Sequence, residues 1–446
     1  MKKQLFSFLV VISFVFSVSA QKTQVAPTDR VQTNLRKHVE YLASDKLEGR
    51  RTGTVGATTA AGYIANQFAK LRLRPGSAAP NGKAGFLQAF SHGKPNQPTL
   101  TGYNVIGILD GTDKQLRSEA IVIGAHYDHL GLGGEGSLAA NSTEIHHGAD
   151  DNASGTAAII ELARQFAKEK KNKRTIIFIA FSGEEEGLFG SKYYIANPSF
   201  PIENTVAMIN LDMVGRLNER KLTIGGIGTA AEFKGLVEGL NPKEIIETTF
   251  KTLPGEVLTR KIRAGVPFVL QLSEDGFGPS DHSSFYTKKI PVLFFFTGTH
   301  LDYHKPSDTA EKINYIGQAS IVGYVGAIVD SVDKNPVRPT YAVAKSSGMS
   351  GGRTSFNVSL GTIPSYTDSG DGLTIDGVRD NSPAAKAGLT GGDKIVRMAG
   401  KEVKNIQDYM SAMGTMKAGD EYDIVVKRGT ETLTLKIVPA PAAPRN

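Results

Sequence analysis

The sequence predicts an α/β fold in which a mixed, largely parallel sheet is sandwiched by helices and is followed by a small β-rich domain. Three observations predict it. Continuous apolar segments such as "EAIVIGA" and "TIIFIAF" alternate with segments of helical periodicity, a Pro-, Ser- and Gly-rich stretch then breaks the pattern, and short β-like segments follow. Strands that are apolar along their whole length belong to sheets covered on both faces, so helices are expected on both sides.

The first 20 residues, "MKKQLFSFLVVISFVFSVSA", are typical of a secretory signal peptide. They combine two lysines, an apolar run and a small-x-small ending. The run is short for a membrane span, and it ends in a processing signal rather than in basic residues. The chain has no cysteine, so neither a lipid anchor nor a disulfide is available. We expect an exported protein, periplasmic or secreted, that has no membrane span in its mature chain and depends on a large core or bound metal.

Two amphipathic helices are predicted first, in residues 31–43 and 61–73, where apolar residues recur at helical spacing. Strands and helices then alternate. The expected strands are 103–109, 119–125, 174–181, 204–212 and 290–296. The expected helices are 155–169, one from Leu188, one near 230–240 and a long one from about 309 to 332.

A chain of 446 residues is longer than a single core usually serves. The expected segments are a signal peptide (1–20), a large domain (25–333), a linker (334–353) and a small domain (354–440). The stretch "NPVRPTYAVAKSSGMSGGRT" predicts the linker because it lacks an apolar period. Five short β-like segments and the helical segment "IQDYMSAMGTM" predict the small domain.

Charge argues against nucleic-acid binding. The net charge is +7, and the densest basic run, "KEKKNKR" at 168–174, contains no aromatic residue. Its position between a predicted helix and a predicted strand favours a solvated connection.

Polar side chains follow the ends of the predicted strands. Ligands in open α/β sheets lie beyond the carboxyl ends of the strands, so these side chains are expected to meet at one edge. Five segments contribute, and their residues are His126 and Asp128; Asp150 and Asp151; Glu184, Glu185 and Glu186; Asp212; and Tyr303 and His304.

Each of these residues has an ordinary structural explanation as a helix cap, a turn former or a core histidine. Together they place four or five carboxylates at one sheet edge, where mutual repulsion requires cations. Two imidazoles and at least three carboxylates suit Zn²⁺, and their number suits two ions. Two metals that share a carboxylate can activate a water and polarise a carbonyl, and a neighbouring carboxylate can move the proton. This set of groups is that of an amide hydrolase.

Six motifs, in order, resemble those of the M28 family of zinc aminopeptidases: "GAHYDHLG", "GADDNASG", "GEEEGLFGS", "NLDMVG", "SDHSSFY" and "YHKPSDT". The resemblance covers about residues 30–330 and implies a zinc exopeptidase fold with two zinc ions per chain. It implies that the metal ligands are His126, Asp151, Glu185, Asp212 and His304, with Asp151 as the bridging carboxylate.

The resemblance also implies roles beside the metals. Glu184 matches the general base, Asp128 matches the acid that orients His126, and Tyr303 matches a phenol that hydrogen-bonds the oxyanion. Glu186 is expected to be a solvated residue at a helix start. Four histidines are expected to line the cleft or support it without binding metal, namely His129, His146, His147 and His282.

The C-terminal segment "SPAAKAGLTGGDKI" resembles that of a PDZ domain. Such domains accept an extended peptide at a sheet edge, and a backbone loop receives the terminal carboxylate. Here the expected loop is Leu360-Gly361-Thr362, although "SLGTIPSY" departs from the usual pattern.

These observations predict an exported metalloaminopeptidase that acts on peptides with a free N-terminus and holds a peptide or protein C-terminus at its PDZ domain. Two alternatives remain open from the sequence. A glutaminyl cyclase shares the fold but generally uses one zinc, and a non-catalytic binding protein would use the enzyme fold as a scaffold for the PDZ domain. The full ligand set argues against both.

Overall fold

The computed structural model describes residues 27–78, 84–92, 99–134, 136–139, 142–242, 246–251, 257–262, 266–344, 358–364, 371–378, 381–404 and 406–441. The predicted signal peptide and the second half of the predicted linker lie outside the described residues. Among the described residues, no helix combines the length and the apolar character that crossing a bilayer requires.

Nine strands of the described chain form one large sheet. In chain order they are Arg74–Pro75 (β1), Leu87–His92 (β2), Leu100–Leu109 (β3), Ala120–His126 (β4), Thr175–Phe181 (β5), Thr205–Leu211 (β6), Lys221–Gly225 (β7), Val269–Leu272 (β8) and Val292–Phe296 (β9). Their order across the sheet is β1-β3-β5-β4-β6-β9-β7-β8, and β2 also pairs with β3.

The centre of this sheet is parallel and its flanks are mixed. Strands β5, β4, β6 and β9 run in one direction, whereas β3 is antiparallel to β5, and β7 is antiparallel to β9. The predicted mixed, largely parallel sheet is therefore confirmed. Because the four central strands are parallel and adjacent, their carboxyl ends lie at one edge, where the candidate site is built.

Seven α-helices within the described residues cover the sheet. They are Pro27–Leu42 (α1), Val55–Lys70 (α2), Gly155–Glu169 (α3), Phe189–Ala196 (α4), Phe233–Leu240 (α5), His282–Tyr286 (α6) and Tyr315–Lys334 (α7). One core joins α1, α2, α3, α5 and α7 to one face of the sheet, and a second core joins α4 and α6 to the other face. Strand β4 is buried along its whole length because it belongs to both cores.

Three helix starts differ from the periodicity of the sequence. Helix α1 begins at Pro27 rather than at 31, and capping residues explain the other two differences. Helix α2 begins earlier than predicted because the Thr54 side chain accepts a hydrogen bond from the Ala57 backbone N–H. Helix α7 begins later because Asn314 caps it in the same way by accepting from the Gly317 N–H, and Ala310–Lys312 forms a separate 3₁₀ turn.

The short outer strands of the sheet were not predicted from the sequence. Strands β1, β2, β7 and β8 were absent from the prediction, as was an antiparallel hairpin of Ile246–Lys251 and Val257–Ile262. These strands are short or lie away from the doubly covered centre, so they lack the continuous apolar runs that identified β4 and β5.

The basic run at 168–174 is solvated only in part. Residues 168–171 are exposed, but Arg174 is fully buried and its Nε donates to Glu119 Oε2 at 2.7 Å. The Arg174 guanidinium also donates to the carbonyls of Val332, Asp333 and Asn335 at the end of α7. The end of this run therefore fastens the last helix to the sheet.

The described part of the predicted linker lies against the large domain. Arg338 pairs with Glu119 at 3.0 Å, and the Ala344 N–H donates to the Tyr286 hydroxyl at 3.0 Å. Ala344 is buried in the same core as α6. A truncation that is meant to leave the large domain intact therefore has to fall after residue 344.

The C-terminal region has its own apolar core and a mainly antiparallel sheet. Its strands are Val358–Ser359 (β10), Thr362–Pro364 (β11), Leu373–Val378 (β12), Lys394–Met398 (β13), Lys401–Glu402 (β14), Tyr422–Arg428 (β15), Glu431–Ile437 (β16) and Ala440–Pro441 (β17). Two helices, Pro383–Lys386 (α8) and Ile406–Met413 (α9), complete it. The predicted β-rich small domain is confirmed.

A buried carboxylate inside α3 makes the stability of the large domain sensitive to pH. Arg164, Gln165 and Asn34 all donate hydrogen bonds to Glu161, at 2.6 to 3.0 Å. Although burial by itself raises the pKa of Glu161, these hydrogen bonds bring it below its ordinary value. A group with a lowered folded-state pKa contributes stability above its unfolded-state pKa and loses that contribution as the pH falls.

We therefore expect Glu161→Gln to be most destabilising at neutral pH. The difference in free energy of unfolding from the wild type should shrink as the pH falls below about 4.5, the ordinary pKa of the group. Urea unfolding at several pH values measures this difference. Glu40→Gln is the control, because Glu40 forms only an exposed ion pair with Arg36 at 3.8 Å. A Glu161→Gln difference that does not change with pH would contradict the expectation.

Candidate metal centre

The site lies where the four central strands end. His126 is the last residue of β4, and Asp212 directly follows β6. Glu184 and Glu185 come shortly after β5, and His304 lies in the segment after β9. The fifth predicted ligand, Asp151, lies just before α3. The structure thus brings all five predicted ligands to the carboxyl edge of the sheet.

The predicted ligands form two sets that share Asp151. In the first set, His126 Nε2 lies 3.2 Å from Asp212 Oδ1 and 3.4 Å from Asp151 Oδ1. In the second set, His304 Nε2 lies 3.1 Å from Asp151 Oδ2 and 3.2 Å from Glu185 Oε2. The two oxygens of one carboxylate therefore face two different imidazoles.

Both imidazoles are oriented by contacts on their other nitrogen. His304 Nδ1 donates to the Gly136 carbonyl at 2.8 Å, and His126 Nδ1 lies 3.2 Å from the Asp128 carbonyl oxygen. Nε2 of each ring is therefore directed at the shared carboxylate. A proton on Nδ1 with Nε2 directed at the ion is a usual tautomer of a metal-binding histidine.

Asp128 is fully buried behind His126. Its Oδ1 lies 3.7 Å from His126 Nδ1, which is an ion-pair distance rather than a hydrogen bond. Asp128 Oδ2 accepts from the Thr52 hydroxyl at 3.0 Å, and Oδ1 accepts from the Glu184 N–H at 3.3 Å. Asp128 therefore touches both the predicted ligand His126 and the backbone of the predicted base.

The charges of the site favour bound cations. Burial raises the pKa of Asp151, and the charge of Glu185 raises it further. Burial lowers the pKa of His126, but the charges of Asp212 and Glu184 bring it well above the ordinary value. Unscreened carboxylates at this density attract positive charge, and a donor set of imidazole and carboxylate fits Zn²⁺.

Three donor groups among the described residues have ligand atoms that all lie within 4.8 Å of one another. They are His126, Asp151 and Asp212; His126, Glu184 and Glu185; and His129, Asp151 and Glu185. The first group is one of the two predicted sets. The other two groups include Glu184 and His129, which were not predicted to bind metal.

Glu184 lies beside the two sets. Its Oε2 is 4.0 Å from His126 Nε2, and its side chain retains 11% of its exposure. Burial raises the pKa of Glu184 well above its ordinary value, against the opposing effect of His126. A mostly buried carboxylate with a raised pKa next to a cation site has the properties of a proton acceptor and donor.

Glu186 is not the solvated helix-start residue that the sequence suggested. Helix α4 begins only at Phe189, and Glu186 Oε1 accepts from Arg51 Nε at 3.1 Å with 17% of its side chain exposed. The segment between β5 and α4 is a turn, because Gly183 and Leu188 both adopt positive φ angles. This turn directs the three adjacent glutamates to different partners.

A cavity of about 370 Å³ opens onto the two sets. Its lining combines the charged residues of the two sets with an apolar cluster that includes Met213, Phe294 and Phe296. Tyr303 also lines the cavity, with its ring stacked on His304 at 3.8 Å between centroids. The cavity therefore pairs a region that suits a reacting amide with a region that suits an apolar side chain.

A comparison with family models decides the classification. The model of peptidase family M28 matches residues 104–326, which is half of the chain. The chain belongs to peptidase family M28. A model of the PDZ domain matches residues 358–438, in agreement with the separate apolar core of the C-terminal region. Both predicted resemblances are confirmed.

Curated relatives of the M28 chain include peptidases. The chain is 26% identical over 302 residues to leupeptin-inactivating enzyme 1 of Streptomyces exfoliatus, and the aligned region covers 66% of this chain and 55% of that enzyme. The chain is 29% identical over 223 residues to leucine aminopeptidase 1 of Uncinocarpus reesii, and the aligned region covers 48% of this chain and 50% of that enzyme. The chain thus spans about half the length of these relatives.

Solved structures share the fold of the M28 domain. A Zn-dependent exopeptidase from Parabacteroides distasonis aligns with a TM-score of 0.51 at 18% identity, over 67% of this chain and 97% of that chain. The glutaminyl cyclase of Porphyromonas gingivalis aligns with a TM-score of 0.50 at 17% identity, over 67% and 98%. An exopeptidase and a cyclase match equally well, so the fold does not separate these two activities.

The four histidines that were expected to line or support the cleft have separate partners in the M28 domain. His146 lies 2.8 Å from the Ser137 hydroxyl, and His147 lies 3.0 Å from Asp45. The His282 ring stacks on Phe294, a residue of the apolar cavity wall. His129 differs from these three because its Nδ1 lies 2.8 Å from the predicted ligand Glu185.

Arg50 is the residue of the M28 domain that sequence reasoning missed most clearly. It is fully buried, and its guanidinium donates to the carbonyls of Tyr127, Leu42, His147, Gly148 and Asp151. Burial lowers the pKa of Arg50 to about 10, so it remains charged at neutral pH. It ties the end of α1 to the segments that follow His126 and precede Asp151.

Asp308 holds the Asp151 segment from the other side. Its Oδ2 accepts from the backbone N–H groups of Asp150 and Asp151, at 2.8 and 3.1 Å, and its Oδ1 pairs with Arg216 at 3.2 Å. Asp308 belongs to the quoted motif "YHKPSDT", so its position was available from the sequence. Its role depends on a contact across 157 positions, which the sequence does not display.

Asp281, in the motif "SDHSSFY", is fully buried. Burial raises its pKa to about 7, against the opposing effects of His126 and Ser191. Its charge is one of the causes of the raised pKa of Glu184.

Proposed function

We propose that this chain is an exported, zinc-dependent aminopeptidase that binds two zinc ions. The supporting observation is the position of Asp151, whose two oxygens face His126 and His304 within 3.4 Å. A carboxylate shared by two donor sets suits a pair of metals. The proposed catalytic domain is 25–333, followed by the linker (334–353) and a PDZ domain (354–440).

In this proposal His126 and Asp212 would hold one ion, Glu185 and His304 would hold the other, and Asp151 would be shared by both. Bound zinc would supply the Lewis acidity that polarises the scissile carbonyl and lowers the pKa of the attacking water.

The protein groups then handle the proton. Glu184 accepts the proton that the attacking water loses as the new C–O bond forms. It returns this proton to the nitrogen of the departing amine as the C–N bond breaks. The raised pKa of Glu184 suits this double role because the group must hold the proton between the two steps. Tyr303 is proposed to hydrogen-bond the oxyanion from its place in the cavity wall.

The cavity also suggests the substrate class. Met213, Phe294 and Phe296 form an apolar wall beside the carboxylates, so an apolar N-terminal side chain is expected to bind there. The charged N-terminal amine is attracted by the carboxylates that also line the cavity, whereas an acetylated N-terminus has no such charge. Peptides with a free, apolar N-terminal residue are therefore the proposed substrates.

The test combines metal analysis with substrate profiling. The purified chain should contain about two zinc ions and should lose hydrolysis of leucine p-nitroanilide on chelation, with recovery on adding zinc. The N-acetylated substrate should not be cleaved. Equal cleavage of acetylated and free substrates would refute the aminopeptidase. A single zinc together with conversion of N-terminal glutamine to pyroglutamate would favour the cyclase instead.

The PDZ domain is proposed to bind a peptide C-terminus. Leu360-Gly361 connects β10 to β11, and β11 is paired on one side only among the described residues. The Thr362 hydroxyl of β11 hydrogen-bonds the Tyr409 hydroxyl of α9, so this strand and this helix are in contact. A peptide strand added to β11 would reach this loop with its carboxylate.

Removal of residues 345–446 should leave the hydrolysis of dipeptide-sized substrates nearly unchanged. All the proposed ligands lie before this cut, and the two regions have separate apolar cores. Turnover and thermal stability of the truncated chain provide the measurement. A chain cut after residue 334 is the comparison, and it should be less stable because it lacks the segment in which Ala344 and Arg338 pack. A large loss of turnover in the longer chain would mean that the PDZ domain completes the active site.

A further inference from the structure

His129 lies next to the proposed second zinc position. It follows β4 by three residues, is 1% exposed, and has its backbone N–H 3.4 Å from the Arg50 carbonyl. Its Nδ1 lies 2.8 Å from Glu185 Oε1 and 3.8 Å from Asp151 Oδ2. The closer contact has hydrogen-bond length, and the longer one does not.

The chemistry of the partners settles the direction of this hydrogen bond. An ionised carboxylate only accepts, so Nδ1 of His129 is the donor and Oε1 of Glu185 is the acceptor. The other nitrogen, Nε2, is buried without a hydrogen-bond partner among the described residues. Among the described residues, the one hydrogen bond of this ring is therefore directed at the carboxylate of Glu185 rather than at a structural carbonyl.

Neighbouring residues hold the His129 ring in one position. Gly148 has a φ of +54°, and a Cβ at this residue would lie 2.5 Å from the ring carbons of His129. On another side the ring packs edge-on against His304, with 5.7 Å between centroids and 72° between planes. Gly148 leaves space for the His129 ring, and His304 packs against it. Together these two residues fix the direction of Nδ1.

We propose that His129 is a positioning residue for the zinc site formed by Asp151, Glu185 and His304. Its Nδ1–H holds Glu185 Oε1, so that Oε2, which faces His304 Nε2 at 3.2 Å, is the oxygen presented to the metal. This inference rests on the proposed two-zinc site. Hydrogen-bonded partners of metal ligands commonly contribute 10- to 100-fold in metal affinity, which sets the expected effect.

The test measures both zinc affinities in the full chain by competition with a chromophoric chelator. His129→Leu removes the donor and should weaken one of the two zinc ions by roughly 10- to 100-fold while the other is retained. His129→Asn carries an amide N–H near the position of Nδ1 and should restore most of the affinity. His129→Gln places its amide one carbon further and should not.

His146→Leu is the matched control. His146 is also buried and belongs to the same segment, but its contacts are Ser137 and the Glu144 carbonyl. This variant should keep both zinc affinities. Circular dichroism of each variant reports folding, and the Asn and Gln variants decide the question if the Leu variant does not fold.

Several results would overturn the role of His129. Wild-type affinity for both ions in His129→Leu and His129→Gln would show that the hydrogen bond does not support the site. Equal loss in the Asn, Gln and Leu variants would show that His129 is itself a ligand, as its place in a group with Asp151 and Glu185 permits. Failure of the wild-type chain to bind two zinc ions would instead refute the proposed function, and this result is seen before any variant is made.

Discussion

Glu184→Gln is expected to lower turnover by at least about 10²- to 10⁴-fold, the contribution of general acid-base catalysis. Glutamine keeps the size of the side chain and most of its hydrogen bonding but cannot accept the proton. Zinc content should stay at the wild-type value because the two predicted ligand sets do not include Glu184. Turnover with a leucine substrate and zinc per chain are the two measurements.

The adjacent glutamates supply the comparison. Glu185→Gln removes an anionic ligand and should lower zinc affinity, with activity partly restored by excess zinc. Glu186→Gln should change neither quantity, because the Glu186 partner Arg51 is 36% exposed and such ion pairs contribute at most about 1 kcal/mol.

This comparison also tests the assignment of the turn. Glu184 can form a donor group with His126 and Glu185, so the alternative assignment is physically possible. Loss of zinc in Glu184→Gln with retention in Glu185→Gln would show that the two roles are exchanged. Full activity in Glu184→Gln would refute the catalytic proposal and favour a binding protein.

Arg50→Met is expected to lower the free energy of unfolding by about 3–5 kcal/mol, the range for removing one partner of a buried charged network. The substitution leaves buried carbonyls without a donor, and each such group costs roughly 1–3 kcal/mol. Zinc affinity should fall with stability, because two of these carbonyls belong to Gly148 and Asp151. Urea unfolding and zinc titration measure the two effects.

Arg51→Met is the matched control for this prediction. Arg51 is the next residue in the chain, but its Nε pairs with Glu186 near the surface and its side chain is 36% exposed. A loss of less than about 1 kcal/mol is expected. Arg50→Lys should fall between the two, since lysine keeps the charge but not the planar fork of donors. Equal stability of the Arg50→Met and Arg51→Met variants would contradict the role given to Arg50.

The candidate site was predictable to the extent that strand ends were predictable. Strands β4, β5, β6 and β9 are buried along their whole length and largely apolar because both faces are covered, and such runs are visible in a single sequence. The polar residues that follow them were therefore assigned to one edge before any contact was known. The short outer strands and the starts of α2 and α7 were missed, because packing and capping decide them.

The supporting residues were not predictable in the same way. Arg50 lies in "LEGRRTGT", a segment between two helices. A buried and an exposed arginine would give the same sequence pattern there. Its donors reach carbonyls up to 101 positions away, and backbone acceptors leave no trace in the identity of the residues that carry them. His129 was seen as part of "HYDH", but its hydrogen bond to Glu185 spans 56 positions.

The sequence by itself determined the fold class, the family motifs and the set of chemical groups at the sheet edge, because these depend on periodicity and on residue type at local spacing. Only the tertiary structure decided how the groups are divided between partners. It places Asp151 between two imidazoles, turns Glu186 toward Arg51, and sets His129 against Glu185. The physical reason is that a hydrogen bond or an ion pair requires a distance that is correct to within a few tenths of an ångström. Between segments far apart in the chain, packing alone sets such a distance.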